Sequence, residues 1–261
     1  MRKALFVPVF DELSDAALVA DLAAEAERTG WDGVFVWDHV AYRPPVEAVA
    51  DPWVVLAAIA CRTARVRIGP MVTPLPRRRP VKLAREVATL DRLSGGRLVL
   101  GVGLGGDGSG ELTATGEQLD DRVRGALLDE HLEVLRQAWT GEPVHHRGEY
   151  YVVDGLRLLP RPVAPAGPPV WVAARYGNAK PLGRAARHDG VFPVGVATPD
   201  ELAEVVAATG GPREGFDVAV GGPPGTSQEG FEAVGATWWM TSFPVATTEA
   251  DVRALLADGR G

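Results

Sequence analysis

The stretch from Val66 to Gly103, VRIGPMVTPLPRRRPVKLAREVATLDRLSGGRLVLGVG, decides the fold. Val66–Val72 and Leu98–Gly103 are short apolar runs rich in β-branched residues and bounded by Gly and Pro, the signature of buried strands. Between them, about Pro80–Leu93 carries helical spacing, and Pro80 suits a first helical turn because its missing N–H would be unpaired there anyway. A strand, a helix and a second strand in this order predict one β/α unit. Upstream the unit recurs. Ala4–Val9 reads as a strand and Asp15–Thr29 as a helix ended by Gly30, followed by strand Gly33–Trp37 and helix Pro52–Arg62. Downstream, helix Arg122–Trp139 offers Leu127, Leu128, His131, Leu132, Leu135 and Ala138 as a buried face. Pro169–Ala174, Gly190–Val194, Asp217–Gly221 and Thr237–Met240 then read as strands. They alternate with helices at Lys180–His188, Pro199–Thr209, Ser227–Val234 and Glu249–Ala257. Eight strand–helix units in 261 residues predict an α/β fold, a single (β/α)₈ TIM barrel forming one domain over residues 1–261.

Composition narrows the function. The chain has 27 Lys and Arg against 34 Asp and Glu, a formal charge of −7, which disfavours a phosphate-backbone partner and predicts no nucleic-acid binding. The single cysteine, Cys61, excludes an intrachain disulfide and a cysteine-built zinc site. The opening apolar run, Ala-Leu-Phe-Val at residues 4–7, is too short for a signal-peptide core, and no stretch approaches the ~18 apolar residues of a membrane span. A cytoplasmic protein that does not engage a membrane is expected.

In a barrel of this kind chemistry sits where strands lead into helices. Three such loops are unusually long or rich: Asp38–Asp51, Thr73–Arg79 and Leu104–Asp121. The excursion Thr140–Pro168 follows a helix and belongs on the opposite, structural face, which makes His145 and His146 surface or hairpin residues. Asp38-His39 closes the second strand. His exchanges protons near neutral pH and a carboxylate can fix its tautomer; a cap by Asp38 with His39 packed beside it is the alternative. Gly101 to Gly106 forms a G-x-G-x-x-G, but no helix opens at that turn and a dinucleotide site is disfavoured. Glycines there would instead let a flat ligand approach the backbone at Gly103, Leu104 and Gly105. Arg77-Arg78-Arg79 reads either as a seat for an anionic ligand tail or as a solvated charge run. The turn Arg175-Tyr176-Gly177-Asn178 precedes a helix, so amides plus one arginine make a phosphate seat, with a plain Asn178 cap as the alternative. Neither a His-x-His after the first strand, nor H-E-x-x-H, nor G-x-S-x-G occurs, so no metal site or serine nucleophile is expected.

Taken together, Gly30–His39, Asp51-Pro52-Trp53, Val66–Val72, Pro80–Gly105, Pro168–Ala173 and Ala185–Val191 resemble the bacterial luciferase-like flavin-dependent oxidoreductases. The similarity covers residues 1 to about 195 well and the last sixty or so weakly. It implies coenzyme F420 or FMN across the barrel mouth, with the deazaflavin favoured because Asp38-His39 matches the pair in the F420-using relatives. His39 is then the proton donor or acceptor, and Asp38 its orienting or ring-contacting partner. Pro70, Met71 and Val72 become the wall behind the ring, with a non-proline cis peptide at Met71-Val72. Two departures stand out: Gly106 occupies the place of an acidic glutamate in the sugar-phosphate dehydrogenases, and Arg43 that of an aromatic residue near Tyr42. The resemblance thus implies hydride transfer between F420 (or FMN) and a small organic substrate, in a homodimer. The alternatives are an FMNH₂-dependent monooxygenase served by a separate flavin reductase, and a non-catalytic flavin-binding barrel.

Overall fold

The computed structural model describes residues 1–258, so the final three positions of the expected 1–261 domain lie outside the described residues. The strands are β1 (Arg2–Val7), β2 (Gly33–Val36), β3 (Arg67–Pro70), β4 (Thr73–Pro74), β5 (Leu100–Gly103), β6 (Pro143–Arg147), β7 (Val152–Arg157), β8 (Val170–Arg175), β9 (Gly190–Val194), β10 (Asp217–Gly222) and β11 (Trp238–Ser242). The helices are α1 (Ala16–Arg28), α2 (Pro52–Arg62), α3 (Pro80–Leu93), α4 (Glu111–Thr115), α5 (Asp121–Trp139), α6 (Ala179–Ala185), α7 (Pro199–Ala208) and α8 (Glu249–Asp258). Nine strands pair in the order β3-β2-β1-β11-β10-β9-β8-β5-β4, all in parallel. β3 and β4 are two pieces of one barrel strand, interrupted at Met71-Val72, and a parallel bridge from Ile68 to Leu98 closes the ring. Eight barrel staves result, as the alternation of the sequence predicts.

Local chemistry starts the helices where the sequence places them. Asp15, Asp51 and Asp120 each accept two backbone N–H bonds at the starts of α1, α2 and α5, and Thr198 with Glu201 forms a reciprocal capping box on α7. The barrel interior is a separate apolar layer that includes Phe6, Phe35, Met71, Trp171, Trp238 and Met240. The larger core lies between the sheet and the helices, with Leu56, Ile59, Leu83, Val87, Leu132 and Leu135 facing the strands. Gly69 lets β3 lie close to the fourth stave, since a Cβ there would stand 2.0 Å from the Val99 carbonyl oxygen. Six of the seven tryptophans are buried in these layers, so they serve the fold and not an interface.

Two expectations need correction, and a third holds in part. Residues 227–234 form turns, not a helix, because Gly225, Gly230 and Gly235 all take positive φ and break the run. The loop Leu104–Asp121 contains α4, a short helix that the sequence reading missed. The excursion after α5 folds as the antiparallel hairpin β6–β7, but only His145 is at the surface. His146 is buried, and its Nε2 lies 3.0 Å from Glu130 on α5.

Candidate active site

A cavity of about 670 Å³ opens at the C-terminal ends of the strands, a size suited to a cofactor or small ligand. One wall is the break in the third stave. The Met71-Val72 peptide is cis, and both residues line the cavity. Behind it, β5 runs so close that a Cβ on Gly101 would stand 2.3 Å from the Pro70 carbonyl oxygen, and one on Gly103 would stand 2.7 Å from Val72 Cγ2. Gly103, Leu104 and Gly105 all line the cavity, whereas Pro70 is buried behind it and is absent from the lining. Phe192 and Val72 pack on the interior aromatic layer and give the cavity an apolar floor. A flat, apolar wall with backbone at its surface is what an isoalloxazine or deazaflavin ring requires.

Asp38 and His39 both line this cavity. They lie past the last paired residue of β2, so strict alternation no longer separates their side chains. Their roles differ from the expected ones. The Asp38 carboxylate accepts from Thr73 Oγ1 at 2.7 Å and from the Arg78 guanidinium at 3.0 Å, and it does not contact the His39 ring. The partner of His39 is Glu111 on α4, 72 residues away: Nδ1 donates to its Oε1 at 3.0 Å. An ionised carboxylate only accepts, so Nδ1 carries the proton of this bond, and Nε2 is the ring nitrogen that Glu111 does not engage. The second Glu111 oxygen accepts from the Val40 amide at 3.1 Å and pairs with Arg77 Nη1 at 2.7 Å. Burial pushes the Glu111 carboxyl up, but the His39 and Arg77 hydrogen bonds and charges outweigh it and hold the group down at about 2. Rings of Phe10, Trp37 and Tyr42 pack around His39, with Tyr42 edge-on at 5.0 Å between centroids.

Of the arginine run, two members are internal. Arg77 serves Glu111 and Arg78 serves Asp38, so the reading of a solvated patch or a tail-binding cluster fails for both; only Arg79 is exposed. The Pro74–Pro76 turn, a single 3₁₀ turn over Leu75–Arg77, directs the first two inward. Across the cavity, Arg124 donates to the Gly105 carbonyl at 3.1 Å and pairs with Asp121, while Arg184 holds Asp129 through two bonds of 2.6 and 2.8 Å. Arg175, at the end of β8, lines the cavity with no side-chain partner among the described residues. Asn178 also lines it and makes no capping bond to α6. Tyr176 faces elsewhere, its hydroxyl donating to Glu204 at 2.7 Å, and Gly177 borders an adjoining recess of about 530 Å³. No group of three or more His, Cys, Asp or Glu residues suited to a metal occurs among the described residues.

Glu111 is the residue that sequence reasoning missed. Gly106 does lack the acid expected there, but the chain supplies a carboxylate five positions on. The signal for it was present: Asp107 accepts from the amides of Leu112 and Thr113, and with Gly110 in the left-handed region it starts a helix whose first residue is Glu111.

The sequence matches the profile of the luciferase-like monooxygenase family over residues 8–233. It is 36% identical over 161 residues to an F420-dependent glucose-6-phosphate dehydrogenase of Amycolatopsis mediterranei (strain U-32), covering 60% of this chain and 47% of the relative. It is 30% identical over 184 residues to the oxygenase component of a flavin-dependent trigonelline monooxygenase of Acinetobacter baylyi, covering 68% and 50%. The chain spans about half the length of these curated relatives. Among solved structures, the coenzyme F420-dependent tetrahydromethanopterin reductase of Methanopyrus kandleri shares the fold, with a TM-score of 0.79 at 17% identity over 98% of this chain and 97% of that one. With a profile match running through β2, the broken third stave and β5, the chain belongs to the luciferase-like monooxygenase family.

Proposed function

We propose that this single-domain barrel is an oxidoreductase that transfers a hydride between coenzyme F420 and a small organic alcohol or carbonyl compound. The observation that carries the reading is His39, fixed by Glu111 through Nδ1 at the edge of a cavity whose wall suits a flat ring. When bound, the deazaflavin supplies two-electron hydride chemistry without ready reaction with oxygen. His39 Nε2 takes the hydroxyl proton of an alcohol as its carbon loses hydride, and returns it in the reverse direction. Met71, Val72, Gly103, Leu104 and Gly105 form the surface against which the ring lies. Arg175 and Asn178 hold the phosphate, supported by the free guanidinium of Arg175 at the cavity edge. Relatives with F420 in their names support the cofactor assignment.

A second reading, an FMNH₂-dependent monooxygenase with a separate reductase, draws on the relative from Acinetobacter baylyi. The proposal also includes a homodimer, supported by exposed Val54 and Leu93 beside the groove between α2 and α3, and a cytoplasmic location. No helix of the described residues is long and apolar enough to cross a membrane. The test is bleaching of F420 absorbance with a panel of primary and secondary alcohols, with His39→Ala as control. Bleaching by at least one alcohol, lost in the variant, is expected. No bleaching while F420 is bound, with oxygen consumed when reduced FMN is supplied, would replace this reading by the second.

A further inference from the structure

We propose that the recess between α5 and α6 is a subsite for the carboxylate-bearing tail of coenzyme F420, with Arg122 and Lys180 as the residues that hold it. The inference rests on the F420 reading given above. The recess measures about 530 Å³ and adjoins the main cavity, since Leu104, Asp121, Asn178, Pro181 and Arg184 line both. Small residues on the facing elements leave this space: Gly125 and Ala126 on α5, and Gly177 and Ala179 where β8 turns into α6. Arg184 ties the two helices together across the gap. Its side chain is 10% exposed, donates to the Gly125 carbonyl at 3.3 Å and engages both oxygens of Asp129 on α5. A bidentate pair of this kind fixes geometry as well as charge, so the recess is built into the fold.

The charge in the recess is unbalanced. Its two acids are already engaged, Asp121 by Arg124 and Asp129 by Arg184. Asp120, next in the chain, caps α5 through the Arg122 and Val123 amides. Arg122 and Lys180 are exposed, and neither side chain has a hydrogen-bond or ion-pair partner among the described residues. Two unpaired cations thus share one concave surface on a chain of formal charge −7, and a cleft with one sign of charge concentrates ligands of the other. Asn178 stands where the two spaces meet, and its side chain is not spent on capping α6. With Arg175 and Asn178 at the phosphate, the recess is the next space along the ligand. FMN ends at its phosphate, whereas F420 continues past it into a string of glutamates, a match for two cations past Arg175. The arginine run offers no such seat, because Arg77 and Arg78 are turned toward buried carboxylates.

The test compares two probes by fluorescence titration: F420 carrying several glutamates, and the same deazaflavin ending at its phospholactyl group. In wild type at low salt the glutamylated form should bind about 2–30-fold tighter, the range that two exposed ion pairs supply. At roughly 1 M salt, where the screening length falls to ~3 Å, that advantage should disappear. In Arg122→Gln/Lys180→Gln the two forms should bind alike, with the shorter form bound as in wild type, which also reports an intact fold. Each single variant should keep part of the advantage and serves if the pair does not fold. Arg122→Lys/Lys180→Arg, which keeps both charges, should keep the advantage. An advantage that survives in the double Gln variant, or a variant that loses both forms equally, would overturn the subsite. Equal binding of the two forms by wild type would also overturn it while leaving the hydride-transfer reading in place. Binding of neither form would refute that reading itself, and the subsite with it.

Discussion

Replacing Glu111 by Gln removes a charge while keeping the shape of the side chain, and the structure gives the size and pH dependence of the effect. The carboxyl is 2% exposed and held at about 2, against 4.5 for a free glutamate. A depression of ~2.5 units corresponds to roughly 3 kcal/mol of stability in the ionised state. Because the folded-state value is the lower one, that stability is fully present above pH 4.5 and is lost as pH falls toward 2. At pH 7 the variant should be less stable by about this amount, since Arg77 then faces an amide in a buried position. For a domain of this size the loss corresponds to a fall in Tm of roughly 6–12 °C. By pH 3 the difference should shrink to roughly two-fifths of that. Urea unfolding followed by tryptophan fluorescence at both pH values measures it. An equal difference at pH 7 and pH 3 would show that the Glu111 charge contributes nothing to the fold and that the His39–Glu111–Arg77 arrangement is misassigned.

Three further outcomes follow from other parts of the molecule. His39→Ala should lower turnover by ~10²–10⁴-fold while F420 affinity changes little; equal losses in both would make His39 a cofactor contact and not a proton carrier. Arg175→Ala should weaken F420 binding by roughly 10–100-fold through the loss of a charge-assisted hydrogen bond, and an unchanged Kd would move the phosphate elsewhere along the cavity. Burial pushes His131 down to about 4, so neutral His131 favours the fold above about pH 6.5 and that contribution is lost as pH falls from 6.5 to 4. His131→Leu should therefore lose less stability than wild type across that interval, which parallel urea titrations at pH 7 and pH 4.5 would detect or exclude.

The alternation of strands and helices carried the barrel because each stave needs only a short apolar run and each helix an amphipathic face, and both are local patterns. Asp38-His39 and Met71-Val72 were legible for a similar reason: they sit at strand ends, where the fold itself points to the mouth. Glu111 was not, because its role depends on a contact across 72 residues and on a five-residue helix started by one aspartate and one left-handed glycine. Arg77 and Arg78 misled in the opposite way. Three consecutive arginines read as a seat for an anionic tail or as solvated charge, yet a proline-bounded 3₁₀ turn aims two of them at buried carboxylates. Asp38 was assigned to His39 by adjacency, whereas the partner that geometry provides is Arg78, with Thr73 alongside.

The central claim, a deazaflavin seated against Met71-Val72 with His39 at its reactive edge, is tested most directly by titrating the purified protein with F420 and with FMN, each oxidised and reduced, while following visible absorbance and tryptophan fluorescence. The account predicts saturable binding of F420, tighter than that of FMN, and weakened in Arg175→Ala. Saturable binding of neither cofactor, or tight binding of FMN alone with oxygen consumed by the reduced form, would contradict it.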